Sequence, residues 1–302
     1  MPSTFAIGGS ITVDRLGYGA MQLTGPGVWG PPADRDQARR VLRRAAELGV
    51  TFFDTADSYG PEVSEQLIAE ALHPYSEDVV IATKAGFART GPGQWRVLGF
   101  PEYLTQQCEL SLRRLHLEAI DLFQLHRIDQ RVPLEDQLGA LVDLQTAGKI
   151  RHIGLSEVTV SQLQAALSVT PIATVQNLFN VGNRTSEPLL QECEALGIGF
   201  IPWFPIDTGR LASQASPLTA MAAASETTPA QLALAWLLHR SPVLVPIPGT
   251  SSLGHLEENC RAAGLTLDDA TLAVLDAIDQ PGADPEQSAQ RVRHQRERRT
   301  AP

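Results

Sequence analysis

Thr51-Phe52-Phe53-Asp54, Val79-Val80-Ile81-Ala82-Thr83-Lys84 and Ile120-Asp121-Leu122-Phe123-Gln124-Leu125-His126 share one pattern: a largely apolar run of strand length that closes on an ionisable residue. Each run precedes a segment with helical spacing, at residues 64–72, 101–115 and 134–147. Strands alternating with helices form parallel sheets, and a closed barrel gathers the C-terminal ends of its strands at one mouth. Asp54, Lys84 and His126 should therefore converge. Tyr59 joins them from the loop Thr55-Ala56-Asp57-Ser58, directly after the first run. Four such groups at one mouth make a candidate active site suited to proton relay.

The same alternation extends outward in both directions. Strand 15–19 leads through a Gly/Pro-rich loop to helix 34–48, where Ala38, Val41, Leu42, Ala45 and Leu48 recur at helical spacing. Gly49, Gly148 and Gly197 are placed as helix stops. Strands 150–156, 173–177, 199–203 and 243–248 pair with helices 161–167, 187–196, 229–239 and 253–262, with a further helix at 268–279. Eight strand–helix pairs at roughly 250 residues, without a break in composition, predict an α/β fold: a (β/α)8 TIM barrel. An open doubly wound sheet ranks second. Two short strands, 4–7 and 11–13, joined through Gly8-Gly9-Ser10, read as an N-terminal β-hairpin over the barrel floor, and the last helices as C-terminal additions. Residues 1–280 are expected to form this single domain. Residues 281–302 read as a polar, Arg-rich tail, solvated or disordered.

Composition narrows the function. Among 302 residues, 43% are hydrophobic and 19% charged, as in an ordinary globular protein, and the formal charge of −10 disfavours a broad nucleic-acid-binding face. Cys108, Cys193 and Cys260 are far apart and form no CxxC pair, which suits a reduced setting and gives no metal site. No run reaches the ~18 apolar residues of a membrane span, and Met-Pro-Ser-Thr-Phe-Ala-Ile-Gly-Gly lacks the basic region of a signal peptide. A cytoplasmic protein, monomeric or a small homo-oligomer, with no nucleic-acid or membrane partner, is expected.

Gly25-Pro26-Gly27-Val28-Trp29-Gly30 matches the GxGxxG dinucleotide pattern only in letters. That pattern must open a helix straight after a strand, whereas Pro31-Pro32 follow here and Glu47 lies inside a helix. The glycines read instead as a flexible loop over the mouth. The four ionisable residues carry the chemistry. A phenol near its ordinary pKa of ~10 is a poor acid at neutral pH, and a nearby ammonium lowers that value. Lys84 can supply the ammonium, Asp54 can hold it, and His126 can orient a carbonyl oxygen.

The stretches Phe53-Asp54-Thr55-Ala56-Asp57-Ser58-Tyr59-Gly60, Thr83-Lys84, Leu125-His126-Arg127 and Gly148-Lys149-Ile150-Arg151-His152-Ile153-Gly154-Leu155-Ser156 resemble the aldo-keto reductase family, in family order, from about Arg15 to Leu275. The resemblance implies a barrel that binds NADP(H) across its mouth without a Rossmann domain. It also implies a catalytic set of Asp54, Tyr59 as proton donor, Lys84 and His126. Ser156 and Gln176 fall where the family hydrogen-bonds the nicotinamide carboxamide, and Glu157 replaces a frequent asparagine there. Trp203 stands where a tyrosine often stacks on the nicotinamide, and Phe204 takes a usual serine position. Asp207, Gly209 and Leu211 belong to the loop over the pyrophosphate. At the adenosine end Glu258 and Asn259 match the adenine-contacting pair, while Gly249 and His255 replace a Lys and an Arg around the 2′-phosphate. Thr250, Ser251 and Ser252 can still donate to a phosphate at a helix start. NADP(H) is the expected cofactor, with NAD(H) not excluded.

Loop residues 17–32 and Phe204-Pro205 resemble the bacterial pyridoxal-reductase-like branch, which suggests aromatic aldehydes among the small-molecule carbonyl substrates. Met21, Trp29, Phe87 and Trp95 are candidates for the substrate pocket. Arg127 could meet an anionic substrate, but an ion pair with Asp129 is favoured. Two rivals to a carbonyl reductase stand: a non-catalytic NADPH-binding sensor or partner subunit, and a metal-dependent hydrolase. The latter is disfavoured because the seven histidines form no HxH or HExxH pattern.

Overall fold

The computed structural model describes residues 3–206, 217–224 and 226–278. The runs that close on Asp54, Lys84 and His126 lie side by side at the centre of one parallel sheet. In chain order the strands are β1 (Thr4–Ile7), β2 (Ile11–Asp14), β3 (Tyr18–Gly19), β4 (Phe52–Asp54), β5 (Val80–Ala85), β6 (Phe87–Gly91), β7 (Gln94–Val97), β8 (Ile120–Leu125), β9 (Ile150–Ser156), β10 (Thr174–Gln176) and β11 (Gly199–Phe200). The helices are α1 (Arg35–Glu47), α2 (Val63–Leu72), α3 (Pro101–Leu115), α4 (Leu134–Thr146), α5 (Val160–Leu167), α6 (Glu187–Leu196), α7 (Pro217–Ala224), α8 (Pro229–Arg240), α9 (Leu253–Arg261) and α10 (Asp269–Asp276).

Seven strands pair in parallel in the order β11-β10-β9-β8-β5-β4-β3. Register sets the height of the site. Asp54 lies opposite Ala82, Lys84 opposite Gln124, and Ser156 opposite Gln176, so the polar strand ends share one rim. The expected eighth strand differs. Pro246 and Pro248 have no N–H to give a ladder, and residues 243–248 pair only through the bridge between Phe200 and Leu244. Those residues still close the ring. Phe200 N donates to Val243 O and Val245 N to Phe200 O, both at 2.8 Å, while Gly17 N donates to Pro246 O at 3.0 Å. The fold is a (β/α)8 TIM barrel. At the seam the backbones touch: a Cβ on Gly19 would sit 2.7 Å from Ile247 O, and one on Gly249 would sit 2.6 Å from Gly19 O. Only glycine fits at either position.

Inside the barrel, Phe52, Ala82, Leu122, Ile201, Val245 and Ile247 cluster with Ile7 and Val13 of the β1–β2 hairpin, which places the hairpin over the floor. Larger apolar layers lie between sheet and helices. Local chemistry sets the helix starts: Asp34, Ser252 and Asp268 accept from backbone N–H groups, and Thr159 and Thr228 form capping boxes with Gln162 and Gln231. Elements beyond the sequence expectation are α7, the antiparallel hairpin β6–β7, and short 3-10 turns at Ala20–Leu23 and Pro26–Val28. Among the described residues no helix is long and apolar enough to cross a membrane. The tail at 281–302, and Asp207, Gly209 and Leu211, lie outside the described residues.

Candidate active site

Strand pairing brings Asp54 and Lys84 together under the mouth, almost entirely shielded from solvent at 2% and 0% exposure. Lys84 Nζ donates to Asp54 Oδ1 at 2.6 Å and to Thr55 O at 2.7 Å. Asp54 Oδ2 accepts from Gln124 Nε2 at 3.1 Å and from Gln176 Nε2 at 2.9 Å. Both carboxylate oxygens are thus fixed, and removing one charge would strand the other in a low-dielectric interior. Burial, the largest single effect, pulls the Lys84 ammonium toward deprotonation, but Asp54 and Tyr59 together outweigh it and the net shift is upward, so Lys84 stays charged.

The same ammonium lies 5.3 Å from the Tyr59 ring centre, close enough for its charge to act on the phenol. The sequence reading has the ammonium lowering the phenol pKa. In the structure burial is the larger effect: the pKa is raised overall, with Lys84 and Arg127 opposing and Asp54 assisting the rise. Tyr59 is therefore a protonated phenol at neutral pH, with its proton available to donate. His126 packs edge-on to Tyr59 at 5.9 Å and to Phe87 at 4.7 Å. Burial, then the Lys84, Arg127 and Arg89 charges, hold its pKa well below the usual value, so the ring is neutral. Ser58 Oγ lies 3.5 Å from its Nδ1.

Four of the residues assigned to the substrate pocket surround this group. Trp95 meets Tyr59 edge-on at 6.4 Å and Phe87 at 5.3 Å, and Met21 packs on the cluster of Val28, Ala56 and Tyr59. Trp29 is bridged to Gly60. The loop carrying Trp29, expected to be flexible, is instead bonded down, with Gly25 N donating to Gly30 O at 3.0 Å and Gly30 N to Gly60 O at 2.6 Å. Arg127 also differs from the sequence reading. Its Nη1 donates to His126 O at 2.6 Å and to Ser156 Oγ at 3.0 Å. Asp129 instead accepts from Arg131 at 2.7 Å and from Gly99 N at 3.0 Å. Sequence reading misses Arg89, Gln124 and Tyr103. Alternation across Phe87-Ala88-Arg89 and Trp95-Arg96-Val97 about Gly91-Pro92-Gly93 is the available hairpin signal.

Around the rim, Ser156 and Gln176 are buried. Glu157 adopts φ 55° and its Oε1 accepts from Leu178 N at 2.9 Å and Trp203 Nε1 at 2.5 Å, so it orients the indole. Phe204 sits beside Trp203 with ring centres 6.3 Å apart, and its carbonyl accepts from Asn180. Across the seam, Thr250 O accepts from Tyr18 at 2.5 Å and Thr250 Oγ1 from Ser252 N, while Ser251 O accepts from Gln37. Ser252 caps α9 through His255 N. Glu258 Oε1 accepts from Thr228 Oγ1 at 2.5 Å, and Asn259 is buried.

Asp57 is a further buried acid, three residues beyond Asp54. Its Oδ2 accepts from Tyr103 Oη at 3.3 Å, and its Oδ1 has no partner among the described residues. Burial, then the neighbouring Glu65, raises its pKa to about 8, opposed by Arg114, Ser58 and Tyr103. An acid raised in the folded state holds its proton while the unfolded chain has lost it, so stability is lost as pH rises from the ordinary carboxylate range through about 8. Asp57→Asn removes that dependence. The melting temperature of the variant minus that of wild type should become more positive between about pH 5 and about pH 9. A difference independent of pH would contradict the assignment.

A model of the aldo/keto reductase family matches residues 15–280. The chain is 49% identical over 268 residues to an uncharacterized oxidoreductase of Schizosaccharomyces pombe, covering 89% of this chain and 87% of that one. It is 43% identical over 282 residues to pyridoxine 4-dehydrogenase of Escherichia coli, covering 91% and 98%. Among solved structures it resembles the aldo/keto reductase from Klebsiella pneumoniae in complex with NADP and acetate, with a TM-score of 0.80, 29% identity and coverage of 94% and 98%. The chain belongs to the aldo/keto reductase family and is an oxidoreductase.

Proposed function

We propose that this protein is an NADPH-dependent carbonyl reductase that converts an aldehyde or ketone to an alcohol with Tyr59 as proton donor, and that aromatic aldehydes such as pyridoxal are among its substrates. The observation that carries this reading is the Tyr59 phenol lying against a buried, Asp54-held Lys84 ammonium, with neutral His126 beside it. Relatives support the class: one is a pyridoxine 4-dehydrogenase, and one solved neighbour contains NADP.

The residues at the rim fit a nicotinamide nucleotide. Ser156 accepts from Arg127 and keeps its own hydroxyl proton to donate to a carboxamide oxygen. Glu157 Oε1 is occupied, which leaves Oε2 to accept from the carboxamide NH2. Gln176 completes that end, and the half-buried Trp203 indole, held by Glu157, offers a ring face. Thr250, Ser251, Ser252 and the start of α9 supply donors for a phosphate, with His255 exposed beside them and Glu258 and Asn259 toward the base. Close backbone contact explains Gly249: a lysine there would collide with Gly19. Asp207, Gly209 and Leu211 remain assigned to the pyrophosphate loop.

Bound NADPH supplies the hydride. The chain supplies the rest. Lys84, fixed by Asp54, keeps a positive charge beside the phenol and stabilises the phenolate left after Tyr59 gives its proton to the carbonyl oxygen. With Ser58 at Nδ1, the Nε2 of His126 is the nitrogen left to donate to the same oxygen. Phe87, Trp95, Trp29 and Met21 exclude water around it. Arg127 borders this space and suits a substrate that carries an anionic group. The three free cysteines fit a reduced, cytoplasmic setting.

Titration of tryptophan fluorescence with NADPH and NADH, followed by a carbonyl panel that includes pyridoxal, tests the reading. Tighter binding of NADPH and its oxidation by aldehydes are expected. Tight binding with no oxidation across the panel would favour the sensor reading instead.

A further inference from the structure

The wall above Tyr59 comes from three separate stretches, and one side chain joins them all. Arg89, on β6, sends Nη1 to Val28 O at 2.9 Å and Ser58 O at 2.6 Å. Its Nη2 donates to Gly27 O at 2.9 Å and Gly91 O at 3.4 Å, and Nε to Gln94 O at 2.8 Å. A guanidinium has five N–H donors, and each has a backbone acceptor here. The same group lies 3.6 Å from the Trp95 ring centre and 5.7 Å from that of Trp29. Partial burial lowers its pKa to about 10, so it remains charged at neutral pH.

The consequence is geometric. Ser58 is adjacent to Tyr59, Val28 is adjacent to Trp29, and Gln94 is adjacent to Trp95. Arg89 therefore fixes the backbone next to the proton donor and next to both tryptophans at once. No donor remains to meet a substrate, so its influence passes through the rings it positions. A lysine offers a point charge with three rotatable donors and cannot reproduce a planar fork that spans three stretches.

We propose that Arg89 is a positioning residue that holds Trp29 and Trp95 beside Tyr59 as a preformed wall, making the pocket selective for flat aromatic aldehydes over small aliphatic ones. The inference rests on the carbonyl-reductase reading above.

The test compares wild type, Arg89→Ala and Arg89→Lys, with kcat and KM for pyridoxal and for propanal, NADPH affinity by fluorescence, and amide hydrogen exchange over residues 25–30 and 58–60. Both variants should raise KM for pyridoxal by about tenfold more than KM for propanal, the scale of one hydrophobic-pocket contact. NADPH affinity should persist, and exchange should quicken over both stretches. Equal changes for the two aldehydes, unaltered exchange, or full rescue by lysine would overturn the proposal. If Arg89→Ala does not fold, Arg89→Lys carries the same comparison. A wild-type protein that oxidises NADPH with neither aldehyde would remove the carbonyl-reductase reading, and this proposal with it.

Discussion

Tyr59→Phe should bind NADPH as tightly as wild type and turn over carbonyl substrates about 10²–10⁴-fold more slowly, the range that a positioned general acid contributes. The substitution deletes one hydroxyl and keeps the ring, so contacts to Trp95 at 6.4 Å and His126 at 5.9 Å survive. Lys84 keeps its hydrogen bonds to Asp54 Oδ1 and Thr55 O. The fold should therefore tolerate the change. Steady-state kinetics with fluorescence titration of NADPH separate the two effects. Near-normal kcat would assign the proton to another group.

Lys84→Met should be the most damaging single change, because it affects both chemistry and folding. Methionine approximates the length and volume of the stem but leaves the Asp54 carboxylate without its counter-charge, and only Gln124 and Gln176 remain as side-chain donors. Breaking a buried pair on one side costs about 3–5 kcal/mol. Asp54→Asn in the Lys84→Met background removes the stranded charge, and should recover much of that stability without recovering turnover. Denaturant unfolding and kcat, measured on wild type and on both variants, distinguish these outcomes. Turnover rising in step with stability would mean that Lys84 serves only the fold.

The sequence reveals the site where chemistry coincides with strand ends. Asp54, Lys84 and His126 each follow a buried apolar run, and parallel pairing then forces them to one rim. Tyr59 is reached through a short loop, so its place follows as well. Other features depend on neighbours distant in the chain. The grip of Gln124 and Gln176 on Asp54 needs strands 70 and 122 residues away in sequence. Arg127 and Asp129 are close enough in sequence to suggest an ion pair, but Asp129 is drawn to Gly99 N and Arg131. The rise in the Tyr59 pKa reflects burial, which a list of neighbouring charges omits. The last strand looks regular from its apolar residues, yet its two prolines withhold the donors that a ladder requires. The β6–β7 hairpin is hidden because its aromatics, taken singly, look like loop residues.

The Lys84 charge is held to act on the reaction through the Tyr59 hydroxyl. A double-mutant cycle on kcat, comparing wild type, Tyr59→Phe, Lys84→Met and the double variant, measures that dependence directly. If the ammonium works through the phenol, the double variant will be no slower than the slower single variant. Losses that multiply in the double variant would show two independent contributions and contradict that dependence.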